Sequence, residues 1–523
     1  MNATLQSPVP FENWTITKPA KRGRKGVVVA QEIEAAGIGA DMFESGGNAV
    51  DAAIATALAL SVTEPWMSGL GGGGFMVAYI ASEQEVKVVD FGMVAPGQLD
   101  PADFPLTGSQ GAEMFGWPQV KDDANIHGPK SIAVPGAVAG YGLAATAFGR
   151  KPWSELVDPA IQLAERGHRV TWWTTLQVAA EAGLLAGYPA SERVWLPGGF
   201  PPSMLPETAT SFLPMQGLAR SLRVLADEGP RSLYEGTLAR SVATDVQAAG
   251  GYLSEADLAA YSARLTAPLQ LARGDAVYHL PRGLTAGPTF AEALSQLPGF
   301  DSREPDAVAY RAYAKTLVDA YRGRLESLGH AGDDGSQSCT THVSTADTDG
   351  NLVMLTTTLL SPFGSRMVLP GSGILMNNGI NWFDPRPGRP NSLAPGQRPL
   401  SNMCPMVATR NGSPWFGYGA SGGRKIMPAV FQLASFTNDF GMDLETALAH
   451  PRLDASDIDT LVHDGRLDSG VAAEISAVAP STPWGPTSFP SMYANPSGAV
   501  ITLDGECVGA VHPYSPVSGV AAA

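Results

Sequence analysis

The stretch that decides how this chain is read is Cys339–Asp347, "CTTHVSTAD". Its Thr-rich alternation follows the two-residue period of a β-strand, and Thr and Val suit a pleated, half-buried surface. "NLVMLTTT" (Asn351–Thr358) follows after Thr348-Asp349-Gly350, a glycine-containing turn, so the two runs read as a β-hairpin. Two accounts of the stretch compete. In the structural account, the threonines are good strand residues and His342 is a hydrogen-bonded structural histidine. In the chemical account, two threonines and a histidine directly after a cysteine mark a nucleophile. The rest of the chain has to decide.

The composition narrows the function classes. The chain has 523 residues, 44 % hydrophobic and only 16 % charged, with a formal net charge of −16. That length allows a large core and two to four domain-sized units. No basic run exceeds "KPAKRGRK" (Lys18–Lys25), which argues against nucleic acid and for a small-molecule enzyme. The 59 glycines and 42 prolines point to many turns and close backbone approaches, not to a helical bundle. Cys339, Cys404 and Cys507 give neither a disulfide framework nor a CxxC metal spacing. No two histidines form an HxxxH or HExxH pair, so no metal or other cofactor is expected. The first 26 residues lack the apolar core of a secretory signal, and no run of 18 apolar residues occurs, so the cytoplasm is the expected location.

Along the chain, residues 31–60 read as two helices around a Gly46-Gly47 turn, the second apolar nearly all round and therefore buried. "GLGGGG" (Gly69–Gly74) leads into a strand, and "VKVVDF" (Val86–Phe91) is a second one. Residues 130–330 read as helix-rich, with a capping box at Ser254 and Asp257. Further strands are expected at "SGILMN" (Ser372–Asn377), "CPMVATR" (Cys404–Arg410) and "PWFGYGA" (Pro414–Ala420), and a helix at Ile426–Gly441. Strands inside and helices outside make a layered α/β arrangement.

Two glycine motifs carry candidate chemistry. "GLGGGG" matches GxGxxG, but a dinucleotide site needs a strand before the glycines and a helix after them, and here the order is reversed. Tight backbone packing is its commoner meaning. "GASGG" (Gly419–Gly423) matches GxSxG in the right strand-to-helix setting for a Ser421 nucleophile elbow, with Asp454 or Asp457 and His463 or His512 as partners. The same glycines entering a helix also suit an oxyanion hole built from backbone N–H groups.

Several blocks together resemble the γ-glutamyltransferase family of N-terminal-nucleophile hydrolases, closer to its cephalosporin-acylase-like branch. They are "GGNAVDAAIATALALSVTEP" (Gly46–Pro65), "LGGGGFM" (Leu70–Met76), "TTHVSTADTDGN" (Thr340–Asn351), "SGILMNN" (Ser372–Asn378), "RPLSNMCPM" (Arg398–Met406), "GASGGRKI" (Gly419–Ile426) and "HPRLD" (His450–Asp454), in the family's order. The resemblance implies a four-layer αββα fold and a precursor that cuts itself between Cys339 and Thr340. Residues 1–339 would form a large chain and residues 340–523 a small one, intertwined in one unit. A Thr hydroxyl is a weak nucleophile that needs a base, and the freed α-amine of Thr340, with a reference pKa of about 8, can serve as one. Thr358 matches a second threonine that tunes the nucleophile. Gly422 and Gly423 match the oxyanion glycines, which favours the hole over the elbow. Ser401 matches the first serine of a Ser-Ser pair.

The departures concern the substrate. Gly92 stands where the family's γ-glutamyl enzymes hold a carboxylate with Arg. Leu360, Gly379 and Trp382 stand where they hold the α-amino group, and Asn402 replaces the second serine. The expectation is a larger, more apolar pocket and an acyl group other than γ-glutamyl. A substrate carboxylate, if present, would be met by Arg366 or Arg424. The segment before Thr340 (residues 320–339) is shorter than the family's. A true γ-glutamyl hydrolase or transferase with a rewired pocket, and an unprocessed relative that only binds, are the alternatives. The implied partners are a small amide substrate and the two chains of the precursor, without nucleic acid or membrane; a homodimer is compatible with this reading.

Overall fold

A computed structural model describes residues 14, 16–111, 117–204, 210–328, 339–485, 487–488 and 492–523. The N-terminal thirteen residues and half of the segment 320–339 before Thr340 (329–338) lie outside the described residues.

Two seven-stranded sheets form the centre. The first runs Gly519–Ala522, Gly26–Ala30, Cys339–Asp347, Leu352–Leu360, Gly73–Ile80, Glu85–Phe91, Arg264–Thr266. The second runs Lys21–Gly23, Cys507–Val511, Asn495–Ile501, Ser413–Ser421, Met406–Arg410, Ala276–Leu280, Leu269–Arg273. Every pairing in both sheets is antiparallel. The middle strands come mainly from beyond residue 339, and earlier strands flank them.

Strand periodicity explains the layering. Val27, Val29, Val77, Leu352 and Met354 face a core between the sheets that also holds Val407 and Ala499 of the second sheet. Their neighbours Val28, Ala30, Met76, Val353 and Leu355 join another core with the helices Ile33–Glu44, Ala49–Thr63 and Ala137–Phe148. A third core places Tyr278, Phe416 and Tyr418 of the second sheet against the helices Gly287–Gln296, Ala307–Ser327 and Ile426–Asn438. A strand buried on both faces reads as a continuous apolar run, as these do.

The helix Ala49–Thr63 has all 15 residues buried, as its composition predicts, and Asn48 and Asp51 close a capping box at its start. The turn before it uses Gly46 at φ 91°, a left-handed conformation that favours glycine. Ser254 and Asp257 also form the expected capping box. The glycines of Gly69–Gly74 lie between a helix and the strand Gly73–Ile80, the reverse of the dinucleotide order. They serve packing: a Cβ on Gly72 would lie 2.4 Å from the carbonyl oxygen of Thr358, and one on Gly74 2.1 Å from that of Thr356.

One expected strand is absent. Residues 372–377 form a loop with only isolated bridges at Leu375 and Met376, because Gly373 takes φ 71° against the Gly217 backbone. Among the described residues, no helix is long and apolar enough to cross a membrane.

Candidate active site

Thr340 is 3 % exposed and sits second in its strand. The neighbouring strand Gly26–Ala30 pairs only with Ser344–Asp347, so the first residues of the Thr340 strand are paired on one side alone. On that side the register slips. Cys339 opposes Leu360 and Thr341 opposes Thr357, so Thr358 and Leu359 together face Thr340. Bulges of this kind re-aim side chains and cluster at functional sites. The slip brings the hydroxyl oxygens of Thr340 and Thr358 to 3.4 Å, and the Leu360 N–H donates to Thr358 Oγ1 at 2.8 Å. Leu360 takes φ 87°, strained for a γ-branched residue, and Phe363 and Arg366 follow at 57° and 62°.

His342 has the structural role. It is fully buried between Thr356 Oγ1 at 2.8 Å and Ser344 Oγ at 3.1 Å, and burial pushes its pKa down to about 3. It also registers the two sheets: a Cβ on Gly419 would collide with its ring, and one on Gly417 with Met354. Met354 pairs with Ser344, so the strand Ser413–Ser421 advances toward its C-terminus as the Thr340 strand recedes toward its N-terminus. Gly422 and Gly423, at φ 131° and 60°, therefore turn into the helix Ile426–Asn438 at the same end of the sandwich as Thr340. Ser421 does not make an elbow. Its hydroxyl accepts from Gln31 Nε2 at 2.5 Å, while Asp454 accepts from the Ser456 hydroxyl and Asp457 from the backbone N–H groups of Asp459 and Thr460. His463 and His512 have buried Nδ1 atoms without a hydrogen-bond partner.

Gly92, Trp382 and Ser401 line one cavity of about 200 Å³ with Phe75, Met93 and Met403. Leu360 belongs to the same apolar cluster, and Gly379 abuts it through Met93. Asn402 is held from behind: buried Arg324 donates to its Oδ1 at 3.0 Å and to the Ser401 carbonyl at 2.8 Å. The floor of this cavity is apolar, but its rim is charged. Arg264, Arg282 and Arg398 also line the cavity, with Asp90 as the one acid among the described residues. Arg398 donates to Asp90 at 2.6 Å, and its Nη1 lies 3.3 Å from where a Gly92 side chain would begin. Positive charge thus reaches the cavity beside Gly92 from other segments. Arg366 is corrected too. It pairs with Glu181 at 3.0 Å and donates to the Gly364 carbonyl at 2.8 Å, which makes it a structural brace of its own loop. Arg424 is half-buried with its guanidinium near the Trp117 ring, and desolvation lowers its pKa to about 10.

The family model described as gamma-glutamyltranspeptidase matches residues 35–337 and 324–492. The acylase ACY 1 proenzyme of Pseudomonas sp. (strain SE83) is 33 % identical over 496 residues, covering 87 % of this chain and 86 % of that protein. The chain belongs to the gamma-glutamyltranspeptidase family. The glutathione hydrolase proenzyme of Escherichia coli (strain K12) is 30 % identical over 490 residues, covering 82 % and 81 %, so the acylase is the more similar of these two relatives. The crystal structure of cephalosporin acylase from Bacillus halodurans superposes with a TM-score of 0.86 at 23 % identity, covering 99 % of each chain, and shares the fold.

Within this gamma-glutamyltranspeptidase framework, one residue beside Thr340 escaped the sequence reading. Glu64 caps the C-terminus of the helix Ala49–Thr63, and the Thr341 hydroxyl donates to it at 2.7 Å. Glu64 is 2 % exposed, and burial pushes its carboxyl up to about 8, helped by nearby Glu32, itself raised by burial. A signal was present. An acid at the negative end of a helix opposes the macrodipole, and one that ends an apolar run before a proline has to be held for a reason.

Proposed function

We propose that this chain is a self-processing amidohydrolase of the four-layer αββα N-terminal-nucleophile type, acting through an acyl-Thr340 intermediate. The observation that carries the reading is the Thr340–Thr358 hydroxyl contact at a half-paired strand start, at the sandwich end where Gly422 and Gly423 turn. In the precursor, Thr340 Oγ attacks the Cys339 carbonyl carbon, and the peptide becomes an ester as its nitrogen takes the hydroxyl proton. Water then releases the Cys339 carboxylate and leaves Thr340 with a free α-amine. In turnover that amine takes the proton from Oγ as Oγ attacks the substrate amide. The same proton passes to the departing amine, the acyl group stays on Thr340, and a water activated by the α-amine frees it as the acid. Thr358 orients Oγ, and the N–H groups of Gly422 and Gly423 hold the oxyanion.

The oxyanion role has its own test. A Cβ on Gly422 would lie 2.8 Å from the Ala494 Cα, and its φ of 131° suits only glycine. Gly422→Val is expected to lower turnover by roughly 10²-fold or more, the scale of one lost oxyanion donor, and to slow self-cleavage, while Ser421→Ala stays active. Steady-state rates and a denaturing gel check this. Loss of turnover in Ser421→Ala with normal cleavage would restore the elbow reading.

The acyl group is proposed to lack a γ-glutamyl head. The cavity beside Gly92 offers three arginines and one acid that is already paired, so an α-ammonium there would face like charge. An acyl end that is neutral or anionic fits better. A γ-glutamyl anilide is expected to show kcat/KM well below the common enzyme range of about 10⁴ M⁻¹s⁻¹, and below an anilide whose acyl group has no ammonium. Gly92→Arg should not rescue it, because the Cβ of the new side chain would already lie 3.3 Å from Arg398 Nη1 and the added cation would join three arginines. The 30 % identity to a glutathione hydrolase proenzyme supports the rival reading, and a γ-glutamyl anilide turned over at full rate would select it.

A further inference from the structure

A second cavity, of about 260 Å³, lies among the helices on the outer side of the first sheet. It shares no lining residue with the cavity beside Gly92, and none of Thr340, Thr358, Gly422 or Gly423 lines it. Its walls are apolar, built from Leu70, Val194, Met215, Leu218, Ile374 and Leu375. It is smaller than the roughly 300–1,000 Å³ of drug-sized sites, so it suits a single ring or a short chain.

Two polar features make it more than a packing defect. Ser68 and Trp195 line it, each 1 % exposed, and Ser68 Oγ and Trp195 Nε1 have no hydrogen-bond partner. An orphaned buried donor is destabilising unless something accepts from it. At the mouth, Arg193 and Arg220 are exposed and make no ion pair among the described residues. No acid lines the cavity among the described residues. Apolar walls, buried donors and a doubly cationic mouth define one chemistry.

We propose that this cavity binds a small organic carboxylate, with its apolar body inside, an acceptor atom reaching Ser68 and Trp195, and its carboxylate at Arg193 and Arg220. Arginine forks match a carboxylate, and the surrounding apolar surface favours an aryl or alkyl body over a sugar or a phosphate. The site is separate from the proposed acyl pocket, so it stands whatever the reaction at Thr340 is.

The test is calorimetric titration of the full-length protein with 4-phenoxybutyrate, whose ether oxygen supplies the acceptor, and with the uncharged 4-phenoxybutanol. The acid is expected to bind in the micromolar to millimolar range and the alcohol at least about tenfold more weakly. The double variant Arg193→Gln/Arg220→Gln should weaken the acid about tenfold and leave the alcohol unchanged. Ile374→Phe should fill the cavity and abolish binding of both. Should Ile374→Phe fail to fold, the surface arginine variant decides alone. No binding to the wild type at millimolar acid, or equal binding by wild type and arginine variant, overturns the proposal.

Discussion

Thr340→Ala is expected to remain one chain of 54.5 kDa and to hydrolyse no amide, while the wild type splits into two chains with Thr340 as a new N-terminus. The loss should be on the order of 10⁴-fold or more, because the variant removes the nucleophile from both reactions. Mass spectrometry of the purified chains and an anilide assay read the two outcomes separately. Thr340→Ser keeps a hydroxyl in the same place and should still cut itself. Thr358→Ala should fall between them, since it removes the hydroxyl 3.4 Å from Thr340 Oγ but leaves the attacking atom. An intact wild-type chain with full activity would sink the self-processing reading, and an intact, inactive one would point to a binding protein.

What the sequence revealed and what it hid follow one physical line. Motifs whose job is local were legible: the Thr340 hairpin, the Gly46 turn, the buried helix before Glu64, and the glycines at Gly72 and Gly74. Each depends on short-range periodicity or on a glycine that a neighbouring backbone demands. The edge strands Arg264–Thr266 and Leu269–Arg273 were not foreseen, because short, half-exposed strands lack a strong apolar alternation. Residues 372–377 misled for the opposite reason. They are an apolar run held in a loop by a segment far away in sequence, where a Cβ on Gly217 would lie 2.9 Å from the Gly373 Cα. The substrate pocket was the hardest part. The expectation at Gly92 rested on one position, whereas Arg398, Arg282 and Arg264 reach the same cavity from distant segments. Only the fold brings those charges together.

Glu64 offers the sharpest separation between a positioning role and simple packing. As a neutral acid it accepts from the Thr341 hydroxyl and so fixes the strand one residue from Thr340, the proposed nucleophile. Its carboxyl is raised from 4.5 to about 8, first by burial, with the Thr341 hydrogen bond opposing and Glu32 reinforcing the shift. The folded protein therefore binds this proton more tightly than the unfolded chain does. Its stabilising effect is complete below pH 4.5 and is lost as pH rises toward 8. Over the same range the Thr340 amine, with a reference pKa of about 8, becomes free to act as base. The wild-type rate should thus rise toward pH 8 and fall above it, as a buried carboxylate forms beside the Thr341 strand and favours the protonated amine. Glu64→Gln keeps a neutral partner for Thr341 and removes the titration, so its rate should stay high at pH 9. Glu64→Leu leaves the Thr341 hydroxyl unpaired, and a displacement of about 1 Å at the nucleophile costs on the order of 10²-fold. If Glu64→Gln and Glu64→Leu show the same pH profile as the wild type, Glu64 only fills space. If both substitutions flatten the alkaline limb and Leu alone also lowers the rate, the carboxyl holds the Thr340 strand in register by keeping its proton.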